Sequence, residues 1–449
     1  MATSPRSFLI ELYEEYLEEA SFLYEQRKTL FVNPEITWRK IGEFEERLEA
    51  HIDGLVVGDK LALEVCKRHA AQGDFGELFA ATSVFCRQDQ RDFVLAAFDQ
   101  LDPEDAPKAS AIADALKYEL PDAWILDFLT LLESGQPKLA PILARAFGYR
   151  RLEAGPQLLK AMKRCTPSAL PQLVWALGRS GYEQAKAPLF DYLQSEDEPV
   201  RSAAALALMR LGEPRAVQYC LDKAQSSVWP ILPLGMAGGR DTLAMLTELA
   251  KRSDGADCLI ALGLLGDPAN VPFLINRLEQ PESAASAAMA LQCLTGAERH
   301  ETVFIPDEME EDELFESERE DLKQGKQPTR GDGRPFGSTV TRLSQEPAAW
   351  NQWWRENGDR FSPGIRYRGG GPISPVRLVG MLRAAGTPHR LRECCSEELV
   401  TRYGQDFGLE VDAPVVKQLG QLAEAEAWTG SNSGRFREGA WYFAGYARD

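Results

Sequence analysis

A short pattern recurs along the chain about every 30 residues. The motif A-L-x-x-x-G occurs at residues 176–181, 207–212 and 261–266. Less exact copies close at Gly148, Gly239 and Gly296, so successive closing glycines lie 33, 31, 27, 27 and 30 residues apart. A period near 30 residues is the length of two short helices and their turns. The chain is therefore expected to fold as a series of helix pairs.

The copy that ends at Gly212 shows why such units must stack. One helical stripe is apolar: Val200, Ala203, Ala204, Ala207, Leu208 and Leu211. Ala205, Leu206 and Met209 widen this stripe, so the helix must be covered on more than one side. The many alanines permit close helix approach, and the closing glycine is expected to adopt the left-handed C-cap conformation. Stacked units of this kind form a curved solenoid with a concave surface.

These residues resemble a known family. Gly212-Glu213-Pro214 and Gly266-Asp267-Pro268, each followed by an apolar helix, are similar to HEAT-type repeats of the bacterial kind. Residues 46–55, 350–357 and 441–445 further resemble a largely uncharacterised proteobacterial family of HEAT-repeat proteins. The resemblance implies an all-α, HEAT-like α-solenoid of stacked antiparallel helix pairs. It also implies genes located near those of type VI secretion effectors, and it brings no catalytic motif.

Composition shifts divide the chain into four expected regions. These are an N-terminal helical region (1–58), HEAT-like repeats (59–299), an acidic and Gly/Pro-rich insertion (300–345), and C-terminal helical repeats with a Trp-rich cap (346–449). Trp350, Trp353 and Trp354 are expected to pack one face of a helix into the core. The tail from Trp441 is expected to cover the end of the solenoid.

The charge excludes several classes of protein. Lys and Arg number 50 and Asp and Glu number 68, a formal charge of −18. This charge opposes binding to a polyanion, so we expect no direct contact with nucleic acid. No run approaches the roughly 18 apolar residues of a membrane span, and the first residues do not resemble a signal peptide. We therefore expect a cytoplasmic protein whose eight scattered cysteines stay reduced.

No sequence motif indicates an enzyme, a cofactor or a metal site. The chain lacks G-x-S-x-G, a Walker motif, H-E-x-x-H and zinc-ligand spacing. Gly369-Gly370-Gly371 lacks the spacing of a dinucleotide-binding loop. We expect neither catalysis nor cofactor binding.

One segment has an unusual charge. Residues 307–321 contain ten acidic residues and one basic residue, Arg319, which gives a local charge of −9. The candidate protein-binding residues lie here: Glu308, Glu310, Glu311, Asp312, Glu313, Glu316 and Glu318. Such a segment can attract a basic protein. It can equally be a solvated spacer, in which case the concave face of the repeats becomes the expected contact surface.

Together with the neighbouring effector genes that the family resemblance implies, these features lead to two expected functions. The first is an immunity protein that occludes a cognate type VI effector, with a basic nuclease toxin as the expected class. The second is a non-enzymatic scaffold or adaptor for effector loading or for assembly of the secretion complex. In both cases the expected partner is a protein.

Overall fold

The protein is described from a computed structural model. The structure describes residues 4–31, 33, 35–102, 104–224, 230–252, 255–307, 319, 329, 333–432 and 434–448.

The residues described before position 300 form eighteen α-helices. They are α1 (Pro5–Leu30), α2 (Ile41–Val57), α3 (Asp59–Gln72), α4 (Phe75–Arg87), α5 (Arg91–Gln100), α6 (Ala106–Glu119), α7 (Ile125–Ser134), α8 (Ala140–Tyr149), α9 (Gly155–Met162), α10 (Leu170–Arg179), α11 (Lys186–Tyr192), α12 (Glu198–Arg210), α13 (Pro214–Ala224), α14 (Leu232–Ala237), α15 (Arg240–Ala250), α16 (Ala256–Leu265), α17 (Val271–Arg277) and α18 (Pro281–Thr295).

Helices and short strands alternate after this point. They are β1 (His300–Pro306), β2 (Gly337–Leu343), α19 (Pro347–Asn357), β3 (Tyr367–Arg368), β4 (Gly371–Pro372), α20 (Pro375–Arg383), α21 (His389–Tyr403), α22 (Val415–Ser431), β5 (Trp441–Phe443) and β6 (Tyr446–Arg448). Strand β1 pairs with β2, β3 with β4 and β5 with β6, each pair as a two-stranded antiparallel hairpin. We call residues 361–448 the C-terminal unit.

The even-numbered helices from α4 to α18 pack side by side, and we call them the inner layer. The odd-numbered helices from α5 to α17 pack on one side of that layer. Every residue of α16 from Cys258 to Leu265 is buried, which requires cover on its other side as well. The fold is an all-α, HEAT-like α-solenoid, as the repeat pattern predicts.

Glycine and alanine let neighbouring inner helices approach closely. A Cβ on Gly178 would lie 2.6 Å from the Cα of Ala207, and one on Gly263 would lie 2.7 Å from the Cα of Ala290. Gly148 meets Ala176 and Gly235 meets Ala261 in the same way. The alanine that opens each A-L-x-x-x-G motif is therefore the surface on which the preceding helix packs.

The closing glycines divide into two groups. Gly181, Gly212, Gly266 and Gly296 have φ values of +66°, +69°, +78° and +61°, as a left-handed helix end requires. Gly148 and Gly239 were expected to close repeats in the same way, and this expectation is wrong. Gly148 lies inside α8, and Gly239 precedes α15 with a φ of −109°.

The C-terminal unit shares apolar cores with both ends of the solenoid. Trp38, in the loop between α1 and α2, and Ile41, the first residue of α2, lie in one core with residues of α20–α22. Tyr367 and Trp441 lie in another core with residues of α15–α18. The tail packs over the middle of the stack, where Ala444 meets Gly212, although the sequence suggests a cap at the end.

Two of the closing glycines provide a matched test of this packing. A Cβ on Gly266 would lie 2.4 Å from the carbonyl oxygen of Tyr367, whereas a Cβ on Gly181 would meet nothing within 4 Å. Both residues are left-handed, so alanine costs about 1 kcal/mol at either site through backbone strain. We expect Gly266→Ala to lower the free energy of unfolding by about 3 kcal/mol, because the clash adds to the strain. Equal losses in urea unfolding would contradict the contact between β3 and α16.

Candidate functional site

A row of cations lies on the inner layer. Each stands at or near the C-terminal end of one inner helix: Lys117 on α6, Arg151 after α8, Arg179 on α10 and Arg210 on α12. The C-terminal unit faces this row with four acidic residues: Glu397, Asp406, Glu410 and Asp412. The inner face of a repeat array is where a partner commonly binds, so this pairing decides whether that face is free.

Glu397, on α21, bridges two repeats. Its carboxylate accepts from Arg179 Nη2 at 2.6 Å and from Arg210 Nη1 at 2.5 Å. Burial raises the pKa of Glu397, but Arg210 and Arg179 outweigh burial and the net shift is downward. The carboxylate therefore stays ionised between two guanidinium groups.

The loop after α21 continues the pairing along the stack. Arg151 Nε donates to Asp406 at 3.0 Å, and Arg210 contacts the same carboxylate. Arg151 and Arg179 both donate to Glu410, at 2.7 and 2.8 Å. Burial opposes ionisation of Asp406, yet Arg210 and Arg151 lower its pKa to about 2.

The last acid of the row reaches the N-terminal helices. Lys117 Nζ lies 2.8 Å from Asp412 Oδ2, and the Asp412 carbonyl accepts from Arg27 Nη2 at 2.6 Å. Burial raises the pKa of Asp412, and Lys117 and Arg145 overcome this and lower it to about 2. Glu45, on α2, accepts from the Val415 N–H at 2.6 Å.

Further along the stack the C-terminal unit supplies the cations. Arg402 donates to the carbonyls of Gly235 and Gly238 at the end of α14, at 2.7 and 3.2 Å. Arg366 donates to the backbone carbonyls of Leu264 and Leu265 at the end of α16. Cations are favourable at helix C-termini because the carbonyls there lack helical partners. These guanidiniums complete the ends of two inner helices.

A buried carboxylate holds this arginine cluster together. Glu398 lies 2.8 Å from Arg368 Nη1 and accepts from Arg402 Nε at 2.7 Å, and all three side chains are fully buried. Arg368 also donates to the Leu264 carbonyl at 2.5 Å. Removing one partner of such a buried cluster leaves an uncompensated charge. We therefore assign these residues a structural role.

The glycine loop between β3 and β4 donates hydrogen bonds to the last backbone carbonyls of α18. The N–H groups of Gly369 and Gly370 donate to the carbonyls of Cys293 and Leu294, at 2.8 and 3.0 Å. A Cβ on Gly296 would lie 2.6 Å from Gly369. The glycines of this loop thus allow two backbones to meet.

The C-terminal ends of the inner helices from α6 to α18 are therefore paired with residues of the chain itself, and Leu391 and Cys394 of α21 share an apolar core with α14, α16 and α18. This removes the simplest interpretation of the repeat pattern, in which a concave groove stands open for a partner. One cleft between the two parts has a volume of about 560 Å³. Its inner-layer wall includes Tyr149, Trp175 and Met236, and its other wall includes Cys394 and Val411.

Several polar groups line the cleft. The Tyr149 hydroxyl is buried and has no hydrogen-bond partner in the described part of the chain. Burial raises the pKa of Cys394 well above its usual range, which keeps the thiol protonated and unreactive. Arg179 lies over the Trp175 ring at 4.0 Å and is already paired with Glu397 and Glu410.

The described residues contain neither a cluster of metal ligands nor a membrane-spanning helix. Within those residues no group of three or more His, Cys, Asp or Glu side chains could hold a metal ion. Within the same ranges no helix is both long enough and apolar enough to cross a membrane.

The candidate residues taken from the sequence lie outside the described residues. This holds for all seven: Glu308, Glu310, Glu311, Asp312, Glu313, Glu316 and Glu318. The structure does describe the hairpin on either side of them, in which β1 pairs with β2 from His300↔Leu343 to Pro306↔Gly337. Ser344 and Arg299 close the base of this hairpin through a backbone hydrogen bond of 2.9 Å.

The hairpin also contacts the start of the chain. The Thr341 N–H on β2 donates to Glu35 Oε1 at 3.1 Å. At its base, Glu301 accepts from Arg342 at 2.9 Å and from Ser344 at 3.2 Å. The hairpin is thus held by α18 on one side and by the loop between α1 and α2 on the other.

The row of cations was not predicted from the sequence, although the sequence contains a signal for it. Arg179 and Arg210 both stand two residues before a closing glycine. A cation repeated at one position of successive repeats indicates a charged row on one face. Its acidic partners lie more than 180 residues further along the chain, with no local pattern to connect them.

Residues 155–232 match the sequence profile of the HEAT repeats family. The matched segment runs from the start of α9 to the start of α14, in the middle of the stack. No curated protein matches the chain. Fold and match together define a HEAT-like repeat protein. HEAT repeats commonly mediate protein binding, and proteins of this class are typically helical scaffolds without enzymatic activity.

Glu397 and Glu393 lie one turn apart on α21 and provide a matched pair. The Glu397 side chain is 12% exposed between two arginines, whereas Glu393 is 54% exposed and 3.4 Å from His389. We expect Glu397→Ala to lower the free energy of unfolding by about 3 kcal/mol, because Arg179 and Arg210 lose a buried partner. Glu393→Ala should change it by less than about 0.5 kcal/mol. Similar values in urea unfolding would contradict the docking of α21 on α10 and α12.

Because the pKa values of Asp406 and Asp412 are lowered in the folded state, the free energy of unfolding should depend on pH in the acidic range. A carboxyl whose pKa is lower in the folded state stabilises the fold above its unfolded value near 3.8, and this contribution is lost as the pH falls towards 2. We expect the free energy of unfolding to fall between about pH 5 and pH 2. In the double variant Asp406→Asn/Asp412→Asn it should fall less steeply. Identical slopes in urea unfolding would contradict this assignment.

Proposed function

We propose that this chain is a cytoplasmic immunity protein that binds and occludes a cognate type VI secretion effector. The effector class that we propose is a basic nuclease toxin. The contact residues that we propose are the acidic side chains Glu308, Glu310, Glu311, Asp312, Glu313, Glu316 and Glu318. The HEAT-like class supports the general part of this proposal, namely binding to another protein.

The covered inner face is the observation that carries the proposal. Because the C-terminal unit pairs with the inner layer from Lys117 to Arg210, a partner that binds there would have to break those ion pairs. A surface elsewhere is less costly to use. We propose the acidic segment for this role, since its ten acidic residues follow directly on β1 in the sequence.

Charge supports the choice of partner. A nuclease needs a basic groove to bind the phosphate backbone, and the segment from 307 to 321, with a charge of −9, offers a concentration of negative charge that such a groove can attract. Opposite charges speed encounter and favour the correct partner. Because exposed charges are screened over about 8 to 10 Å, the association should weaken as salt rises.

Four substitutions in the acidic segment test this contact. The variant Glu310→Gln/Glu311→Gln/Asp312→Asn/Glu313→Gln removes four charges and should weaken binding to the toxin about tenfold or more at low salt. A matched variant on α1, Glu11→Gln/Glu15→Gln/Glu18→Gln/Glu19→Gln, removes four exposed charges and should leave the affinity nearly unchanged. Calorimetry at two salt concentrations provides the affinities.

Co-expression with the toxin tests the functional part. The intact chain should protect cells from the effector encoded beside its gene, and an equimolar complex should have no nuclease activity. A complex in which the toxin stays active would instead support the adaptor function. Equal loss of affinity in the two four-charge variants would contradict the acidic segment as the contact.

A further inference from the structure

The two outer edges of the hairpin of β1 and β2 differ in their contacts. The backbone bonds Ser344 N–H to Arg299 and Asp307 N–H to Phe336 mark the inward-facing pairs at its two ends. In an antiparallel ladder such pairs alternate with pairs whose backbone groups point outward. Thr302 and Phe304 on β1, and Thr339 and Thr341 on β2, are therefore outward-facing.

The bond to Glu35 confirms this assignment and occupies the outer edge of β2 at Thr341, while the outward N–H of Thr339 has no partner among the described residues. The Thr341 N–H points away from β1 and donates to Glu35 at 3.1 Å. On β1 the outward N–H groups of Thr302 and Phe304 have no partner among the residues that the structure describes. An open strand edge of this kind is a template for another strand.

The sequence of the open strand favours such pairing. Val303, Phe304 and Ile305 are residue types common in strands, and the side chains of Phe304 and Ile305 are exposed. Natural edge strands are usually protected by a charge, a proline or a covering loop. On β1 such residues stand only at the ends of the strand, Glu301 before and Pro306 after the four residues from Thr302 to Ile305.

We propose that the outer edge of β1 binds an extended basic segment of the partner protein by β-strand addition. The partner strand would accept from and donate to the outward backbone groups of Thr302 and Phe304. Its apolar side chains would cover Phe304 on one face of the hairpin, and the aliphatic parts of its lysine or arginine side chains would lie against Ile305 on the other face. This proposal rests on the proposed function and specifies how that partner is bound.

Charge decides between the possible occupants of this edge. The segment that follows β1 has a charge of −9, so a strand with lysine or arginine is attracted to this place. A second copy of this chain would bring two such segments together, each on a molecule with a charge of −18. Repulsion between like charges disfavours that pairing.

Proline substitutions on the two edges provide a matched test. Thr302→Pro removes an outward N–H from the open edge, and Thr339→Pro removes one from the other edge. Neither position donates a hydrogen bond between β1 and β2, so both variants keep the ladder. Circular dichroism and the urea midpoint should be alike in the two proteins.

The probe is a fluorescein-labelled peptide of four Lys-Val repeats with blocked ends, titrated into the full chain and followed by anisotropy. We expect Thr302→Pro to weaken binding at least tenfold and Thr339→Pro to change it less than twofold. A peptide with the same sequence but N-methylated at every residue keeps the charge and loses the ladder, and it should bind at least tenfold more weakly.

Several results would overturn the strand addition. They are the absence of peptide binding, equal affinities of the two proline variants, and equal affinities of the plain and N-methylated peptides. Sedimentation that shows a dimer of the chain, lost in Thr302→Pro, would place a second copy on the edge and would also overturn it. The toxin distinguishes the two proposals. If Thr302→Pro neutralises it fully while the four-charge variant fails, the proposed function stands and the strand addition falls.

Discussion

The structure depends on the hydrogen bonds and ion pairs that are made at the C-terminal ends of the inner helices. A stack of parallel inner helices brings their C-terminal ends to one side of the molecule, together with the cations that precede the closing glycines. Carbonyl groups and guanidiniums in such a place need partners when they are buried. The C-terminal unit supplies both kinds, with acids such as Glu397 opposite the cations and arginines such as Arg402 opposite the carbonyls of α14.

This pairing changes what the repeat architecture implies for binding. In an open repeat array the inner face offers a long surface to another protein. Here the chain occupies that surface with its own residues and leaves a cleft between the two parts. We propose that a partner binds instead at the insertion, where the hairpin of β1 and β2 contacts α18 and Glu35 and is followed in sequence by the acidic segment. The function proposed above follows from this redistribution.

The sequence predicted the local part of this structure well and the long-range part poorly. The A-L-x-x-x-G motif contains the information for helix, turn and close packing in neighbouring residues, so the solenoid and closing glycines such as Gly212 could be predicted. Gly148 misled the prediction because a glycine serves equally as a helix end and as a place where Ala176 can approach. The pairing of Arg210 with Glu397 spans 187 residues, and only the folded chain brings the two together.

A double-mutant cycle between Arg210 and Glu397 tests most directly whether the C-terminal unit occupies the inner face. Glutamine at each position removes the charge; it matches the shape of glutamate and is shorter than arginine. The Arg210 side chain is 3% exposed and lies 2.5 Å from Glu397, so we expect a coupling energy of about 1 to 3 kcal/mol in urea unfolding of the full chain. Additive effects, within about 0.3 kcal/mol, would show that the two residues do not meet and that the inner face is open.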